Sequence, residues 1–267
     1  MSRMPRNVGI ASRLKRNKIT EVVASGKRMD GRDLLDYREI QIKTGVLEKV
    51  EGSAEAYLGK TRVLVGVKFG KGYPFDDTPD KGVLMSNAEF TPIAHATFEP
   101  GPPDERSTEL ARVVDRGLRS AEILDMKKLC LVKGKAVYMV HVDIYVLSYD
   151  GNLIDCSAMA AIAAMKTAKM PVYTVKDGNV KLTKKTKAVK IRKEPLAVSI
   201  AKIGDSLLVD PSADEEEVMD ARITVTLDEK GNVCTIQKTG SVGFTRDELK
   251  TAIQIAAEKV EELRKNV

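Results

Sequence analysis

The sequence predicts an α+β fold built from two sheet-and-helix units. Short apolar strands punctuated by glycine turns recur in both halves of the chain. One amphipathic and one wholly apolar helix close the first half, and a helix with a capping signature closes the second. The length of 267 residues suits one large domain or two small ones. A chain of this size buries about three quarters of its unfolded surface and needs no metal or disulfide to fold.

Residues 8–25 read as a helix with an apolar stripe of Ile10, Leu14, Ile19, Val22 and Val23, stopped by Gly26. Arg38 to Lys43 alternates as a strand. Ser53–Leu58 and Thr61–Phe69 are apolar runs joined by Gly59-Lys60, a two-residue hairpin signal. Gly, Pro and Asp make residues 70–82 a loop, and Val83–Phe90 is the next strand. Residues 105–124 form an amphipathic helix. Leu110, Val113, Val114, Gly117, Ala121 and Leu124 share one face, with Arg112, Arg116 and Arg119 on the other and Ile123 out of place. Ala136–Leu147 is a long strand. Asp155 is the expected cap of an all-apolar, buried helix over 156–170 that Pro171 ends. Four short strands follow (198–203, 206–209, 222–227 and 233–238). Thr245-Arg246-Asp247-Glu248 is a capping box for a last helix to about 265. The expected boundaries are a basic helical segment over 1–28, a first unit over 29–171, a basic hinge over 172–195 and a second unit over 196–267.

Charge is unevenly spread. Residues 1–32 hold nine Lys or Arg (Arg3, Arg6, Arg13, Lys15, Arg16, Lys18, Lys27, Arg28, Arg32) against Glu21 and Asp30. A second basic run holds Lys181, Lys184, Lys185, Lys187, Lys190, Arg192 and Lys193. An acidic run of Asp210, Asp214, Glu215, Glu216, Glu217 and Asp220 answers it. Basic blocks suit a polyanion such as RNA or DNA; they also occur as solvated faces or against an acidic partner subunit.

The chemistry excludes several classes. No apolar run reaches the ~20 residues that span a bilayer, and no secretory leader is apparent, so a cytoplasmic protein without membrane contact is expected. Three cysteines, Cys130, Cys156 and Cys234, are odd in number and far apart, which argues against a disulfide framework or a zinc site. His95 and His141 read as packing residues rather than bases. No metal site is expected beyond the acidic run, where Asp210 stands at a strand end. The arginine stripe fits bidentate phosphate contact, or equally a ladder with Asp115 and Glu122.

Met29-Asp30-Gly31-Arg32, Arg38-Glu39-Ile40, Gly52-Ser53-Ala54, Leu58 to Leu64 and Glu109 to Ser120 resemble the RNase PH family. So does Leu208-Val209-Asp210-Pro211 with its acidic patch, and the likeness covers about residues 28–257. Within the family, Gly72 to Pro79 and Met85 to Pro92 resemble the non-catalytic RNase PH-type subunits of the archaeal exosome. The resemblance implies an RNase PH-like fold of two βαβα units. It also implies a ring of three heterodimers with a homologous catalytic subunit, beneath a cap protein with RNA-binding domains. Such a ring degrades single-stranded RNA from its 3′ end.

The resemblance further implies that this chain binds no cofactor. Inorganic phosphate, with or without a divalent cation, is used by the catalytic partner. Active members clamp phosphate with Gly-Ser/Thr-Arg, where this chain has Gly151-Asn152-Leu153. Of the acidic pair, Asp210 is kept and Glu216 replaces an aspartate. Arg112, Arg116 and, more weakly, Arg119 are implied RNA-backbone contacts, and the N-terminal basic segment is a further candidate for RNA or for the catalytic neighbour. The expected function is a non-catalytic, RNA-holding ring subunit. An active phosphorolytic nuclease and a scaffold without RNA contact are the alternatives.

Overall fold

Leu58 faces Thr61 across Gly59-Lys60, so the predicted hairpin sets the register from which the first sheet grows. The structure is a computed structural model that describes residues 10–267. After helix α1 (Ile10–Ala24) come β1 (Ile40–Thr44), β2 (Gly52–Leu58), β3 (Thr61–Gly72) and β4 (Val83–Phe90). Helix α2 (Glu105–Ser120), a 3-10 turn at Met126–Leu129, β5 (Cys130–Val132), β6 (Ala136–Ser148) and α3 (Leu153–Thr167) complete the first unit. The sheet order is β1-β2-β3-β6-β4, with β5 on β6. β4 and β6 are parallel, joined across the sheet by α2. The central strands β3 and β6 bury Val63, Val65, Val67, Val140, Val142, Ile144 and Val146, the expected use of β-branched residues.

The second half holds β7 (Lys169–Lys176), β8 (Asn179–Ala188), β9 (Leu196–Ile203), β10 (Ser206–Val209), α4 (Ala213–Val218), β11 (Ala221–Leu227), β12 (Val233–Gly240) and α5 (Arg246–Arg264). β10-β9-β11-β12 form an antiparallel sheet, and β7-β8 form a separate ribbon. Every residue of β9 is buried, because α3 lies on one face and α5 on the other. Small and polar Ala197, Ser199, Thr224 and Thr226 face the first unit, where Thr226 lies beside Gly117 of α2. Thr245 and Glu248 form the predicted capping box on α5.

The centre of the molecule is α3. Leu153 through Met165 are all buried, between β2 and β3 on one side and β9 on the other. Burial of each large aliphatic there contributes about 1.5–3 kcal/mol. One apolar cluster runs from Val65 through Ile162 to Ile200 and Val260, so the two units share a core.

The structure departs from the sequence reading in four places. α2 stops at Ser120, and Glu122 adopts a left-handed backbone (φ 54°), which turns Ile123 inward to full burial. α3 starts at Leu153 and ends at Thr167; its N-cap is Asn152, not Asp155, and Pro171 lies in β7 at a register shift. The segment expected as a hinge is mostly the β7–β8 ribbon. The expected loop begins only after Gly72, where β3 ends. Residues 8 and 9 of the predicted first helix lie outside the described residues. Among the described residues no helix is long and apolar enough to cross a membrane.

Candidate anion site and nucleic-acid interface

The start of α3 meets the end of β10. Gly151 takes φ 86°, and a Cβ there would collide with the backbone of Pro211, Ser212 and Ala213, so only glycine lets the two segments touch. Asn152 and Asp210 are both fully buried with left-handed backbones. The Asn152 amide donates one bond to Asp155 Oδ2 and one to Asp210 Oδ1, each at 2.9 Å. Leu153 follows, also buried, an aliphatic side chain with nothing to offer an anion.

Asp210 is saturated. Oδ2 accepts from Arg32 Nη1 (2.8 Å), the Arg38 backbone amide (2.9 Å) and Arg38 Nε (2.9 Å). Oδ1 accepts from Arg38 Nη2 at 2.8 Å besides Asn152. Burial alone would raise this carboxyl, but Arg38, through its bonds and its charge, and Asn152 hold it below the ordinary range. Glu216, on α4, accepts from the Tyr149 hydroxyl (2.7 Å), the Asn152 backbone N–H (3.1 Å) and Arg222 (3.0 Å). Three carboxylates, Asp155, Asp210 and Glu216, thus crowd the first turn of α3. Arg32, Arg38 and Arg222 each already bond one of them. The arrangement bolts the second unit to the first.

The N-terminal basic segment folds onto the acidic run. Arg28, with its guanidinium fully buried, bonds Glu215 through Nε at 2.9 Å and through Nη2, and donates to the carbonyls of Val209 and Asp210, both at 2.8 Å. Lys15 bridges Asp214 and Glu217 at 2.7 Å each, and Arg16 reaches Asp220 at 2.9 Å. On sequence alone this acidic run answers the 181–193 lysines, and the N-terminal cations are open to RNA or a neighbour. The structure corrects the first expectation and narrows the second. Of the described members, Lys15, Arg16, Arg28 and Arg32 form internal ion pairs with this run, because α1 packs Ile19 and Val23 against Ala201, Ile203, Leu208 and Val218 and so lays the segment over α4. Lys27 pairs locally with Asp33, and Arg13 and Lys18 stay exposed without an ion pair among the described residues. Arg3 and Arg6 lie outside the described residues. The roles of Arg28, Arg32 and Arg38 in holding Glu215 and Asp210 escape sequence reasoning, since those two carboxylates are more than 170 residues away; the one available signal is that Arg32 and Arg38 stand inside the family-like motifs.

The arginine stripe divides. Arg112 and Arg116 line an open cavity of about 440 Å³ with Glu105, Glu109 and Gln237. Arg116 donates to Gln237 at 3.1 Å, and among the described residues Arg112 has no hydrogen-bond or ion-pair partner. Arg119 bonds Asp115 at 2.5 Å and the Leu84 carbonyl. For this position the structure has the helix ladder that the sequence left open. His95 packs on Phe98 and Tyr149. Arg106 lies over the same rings, a member of the cluster that the stripe did not flag. Among the described residues no three His, Cys, Asp or Glu are grouped to hold a metal.

The model of the 3′ exoribonuclease family, domain 1 (RNase PH), matches residues 36–171, and that of domain 2 matches residues 193–259. The chain belongs to the RNase PH family. This RNase PH family chain is 48% identical over 260 residues to the exosome complex component Rrp42 of Thermococcus onnurineus, covering 97% of this chain and 96% of the relative. It is 47% identical over 258 residues to the same component of Pyrococcus abyssi, covering 96% and 94%. Among solved structures it is similar to a chain of the Archaeoglobus fulgidus exosome with RNA bound to the active site (TM-score 0.87, 40% identity, 96% of this chain and 99% of that one). It is also similar to a chain of an archaeal exosome core (TM-score 0.84, 38% identity, 96% of each). The RNase PH-like α+β expectation for the fold is met.

Proposed function

We propose that the chain is a structural, RNA-holding subunit of an archaeal-type exosome ring, a 3′–5′ exoribonuclease, and performs no phosphorolysis itself. The reading carries the role of its relatives over to this chain. It adds a homologous catalytic subunit in three heterodimers, a cap protein with RNA-binding domains, and a cytoplasmic setting. The phosphate nucleophile, with or without a divalent cation, belongs to the catalytic partner.

One observation carries the non-catalytic half: the slot before α3 is closed by its own ion pairs. Attack by a phosphate dianion on an anionic RNA backbone needs a cation whose charge is free for it. Here Leu153 stands where the resemblance expects a guanidinium. Both amide protons of Asn152 go to carboxylates, and Asp210 has no acceptor capacity in want of a partner. Arg112 and Arg116 support the RNA-holding half, as exposed cations beside an open cavity.

The test is phosphorolysis of a labelled single-stranded RNA by the purified chain alone and with its catalytic homologue. Nucleoside diphosphates are expected only from the mixture, and release by the lone chain would sink the reading. In the assembled ring, Arg112→Ala with Arg116→Ala is expected to weaken RNA binding. It should flatten the salt dependence by about 0.7 in log–log slope for each phosphate that an arginine had neutralised, leaving the ring intact. A ring that falls apart instead would favour a scaffold whose arginines meet partner carboxylates.

A further inference from the structure

The β7–β8 ribbon carries the second basic run, which the proposed RNA path leaves unused. Residues 169–190 hold Lys169, Lys176, Lys181, Lys184, Lys185, Lys187 and Lys190 against Asp177 alone, a net +6 that equals the formal charge of the whole chain. All seven lysines are exposed, and among the described residues none forms an ion pair. The run becomes paired only beyond the ribbon, where Arg192 meets Glu122 at 3.6 Å and Lys193 meets Asp228 at 3.1 Å. The acids of the 210–220 run are taken by α1 and its neighbours.

The ribbon is a firm platform. Its ladder runs from Lys169–Ala188 to Lys176–Asn179. Tyr138 donates to the Pro171 carbonyl at 2.8 Å, and its ring meets that of Tyr173. Between Thr186 and Leu182 the register slips. Thr183 steadies the bulge by donating to Val172 O (2.7 Å) and accepting from the Lys185 amide (3.2 Å). Lys184 and Lys185 sit on that bulge, outside the ladder. The ribbon leaves α3 at the helix's C-terminal end, and 15 helical residues span about 22 Å, so it cannot share a binding pocket with Asn152 and Asp210.

We infer that the ribbon is a second, sequence-independent contact for single-stranded RNA, gripping phosphates of a strand that extends beyond the arginine helix. The inference rests on the proposed RNA-holding role. The residue types favour RNA over a protein partner. Protein interfaces are depleted in lysine, and aromatic and arginine anchors carry their energy. The lysine edge has neither, and its two exposed aliphatics, Val175 and Leu182, are on the other face from Lys176 and Lys181. Mobile point charges without a fixed fork suit a backbone read by charge alone. Unneutralised like charges packed on one ribbon repel, and an RNA strand that displaces their counterions relieves this.

The experiment titrates long and short labelled oligoadenylates against the assembled ring over a range of salt. The variant is Lys181→Gln, Lys184→Gln, Lys185→Gln and Lys187→Gln together, with Lys250→Gln and Lys265→Gln on α5 and its C-terminal end as the charge control. The ribbon variant is expected to bind the long RNA at least about tenfold more weakly at low salt. Its log–log slope should fall by about 0.7 for each lysine that had met a phosphate, with the short RNA and the control unchanged. An unchanged slope for the long RNA overturns the inference. So does unchanged RNA binding together with lost association of subunits or cap, which would make the ribbon a protein dock. The Arg112→Ala, Arg116→Ala ring, titrated in parallel, separates the two proposals. Loss in the ribbon variant alone breaks the arginine path, and loss in the arginine variant alone breaks the ribbon.

Discussion

The two basic blocks of this chain are alike in the sign of their charge and different in its use. Four members of the N-terminal block meet acids of the 210–220 run: Lys15 with Asp214 and Glu217, Arg16 with Asp220, Arg28 with Glu215, Arg32 with Asp210. The ribbon block meets none among the described residues. Residue type follows use. Arginines occupy the buried pairs, where a planar fork satisfies carboxylates and carbonyls at once, and lysines occupy the open ribbon. A count of charges along a sequence cannot separate the two cases, because what decides is whether the fold brings acids within reach.

The comparison breaks hardest at Arg28. Arg28→Met leaves Glu215 buried without its partner and strips donors from the carbonyls of Val209 and Asp210. Removing one member of a buried pair costs about 3–5 kcal/mol, so chemical denaturation should find the variant destabilised by that much. The four ribbon substitutions should stay within about 0.5 kcal/mol of the parent protein, as exposed changes do. Similar losses in both would erase the distinction between glue and free charge.

Asp155 sharpens the comparison from the other side, as a buried acid that the N-terminal cations do not reach. Its Oδ2 accepts from the Tyr37 hydroxyl (2.9 Å), the Asn152 amide (2.9 Å) and the Ser199 N–H (3.0 Å), while Oδ1 has no partner among the described residues. Burial outweighs these bonds and pushes the carboxyl up to about 6. The folded protein therefore holds a proton that the unfolded chain has released between about pH 4 and 6, and stability falls as pH rises through that window. Asp155→Asn keeps the acceptor for all three donors and carries no charge. It should gain about 3 kcal/mol near neutral pH and nothing near pH 4, a difference that thermal unfolding at the two pH values would read. A variant no more stable than the parent at neutral pH would mean that the carboxylate is better solvated than its burial implies.

Strands β2, β3 and β9 to β12, the hairpin at Gly59-Lys60 and the cap of α5 were legible because alternation, turn residues and capping boxes are local signals. The ends of α2 and α3 were not. Glu122 and Asn152 take left-handed backbones. Nothing in the propensity of Glu122 announces this, and the tolerance of asparagine for that region does not by itself mark a helix start, so a capping carboxylate at Asp155 is the simpler local reading. The Gly151-Asn152-Leu153 slot was visible only through family likeness. The arginine cage around Asp210 was invisible because Arg32 and Arg38 meet it across more than 170 residues, a distance only the finished fold closes.

The smallest expected effect lies inside the paired block itself. Lys15 and its partners Asp214 and Glu217 are all substantially exposed, and bonds to those two carboxylates raise the Lys15 ammonium above its ordinary value. Water screens such pairs to about 0–1 kcal/mol. Lys15→Ala should therefore cost less than about 1 kcal/mol, and the difference should shrink further in high salt. Docking of α1 does not depend on it, since Ile19 and Val23 are buried against the β9–β10 sheet edge and Val218. A loss as large as that of Arg28→Met would reverse this order and make exposed charge, rather than buried apolar surface, what holds the N-terminal segment in place.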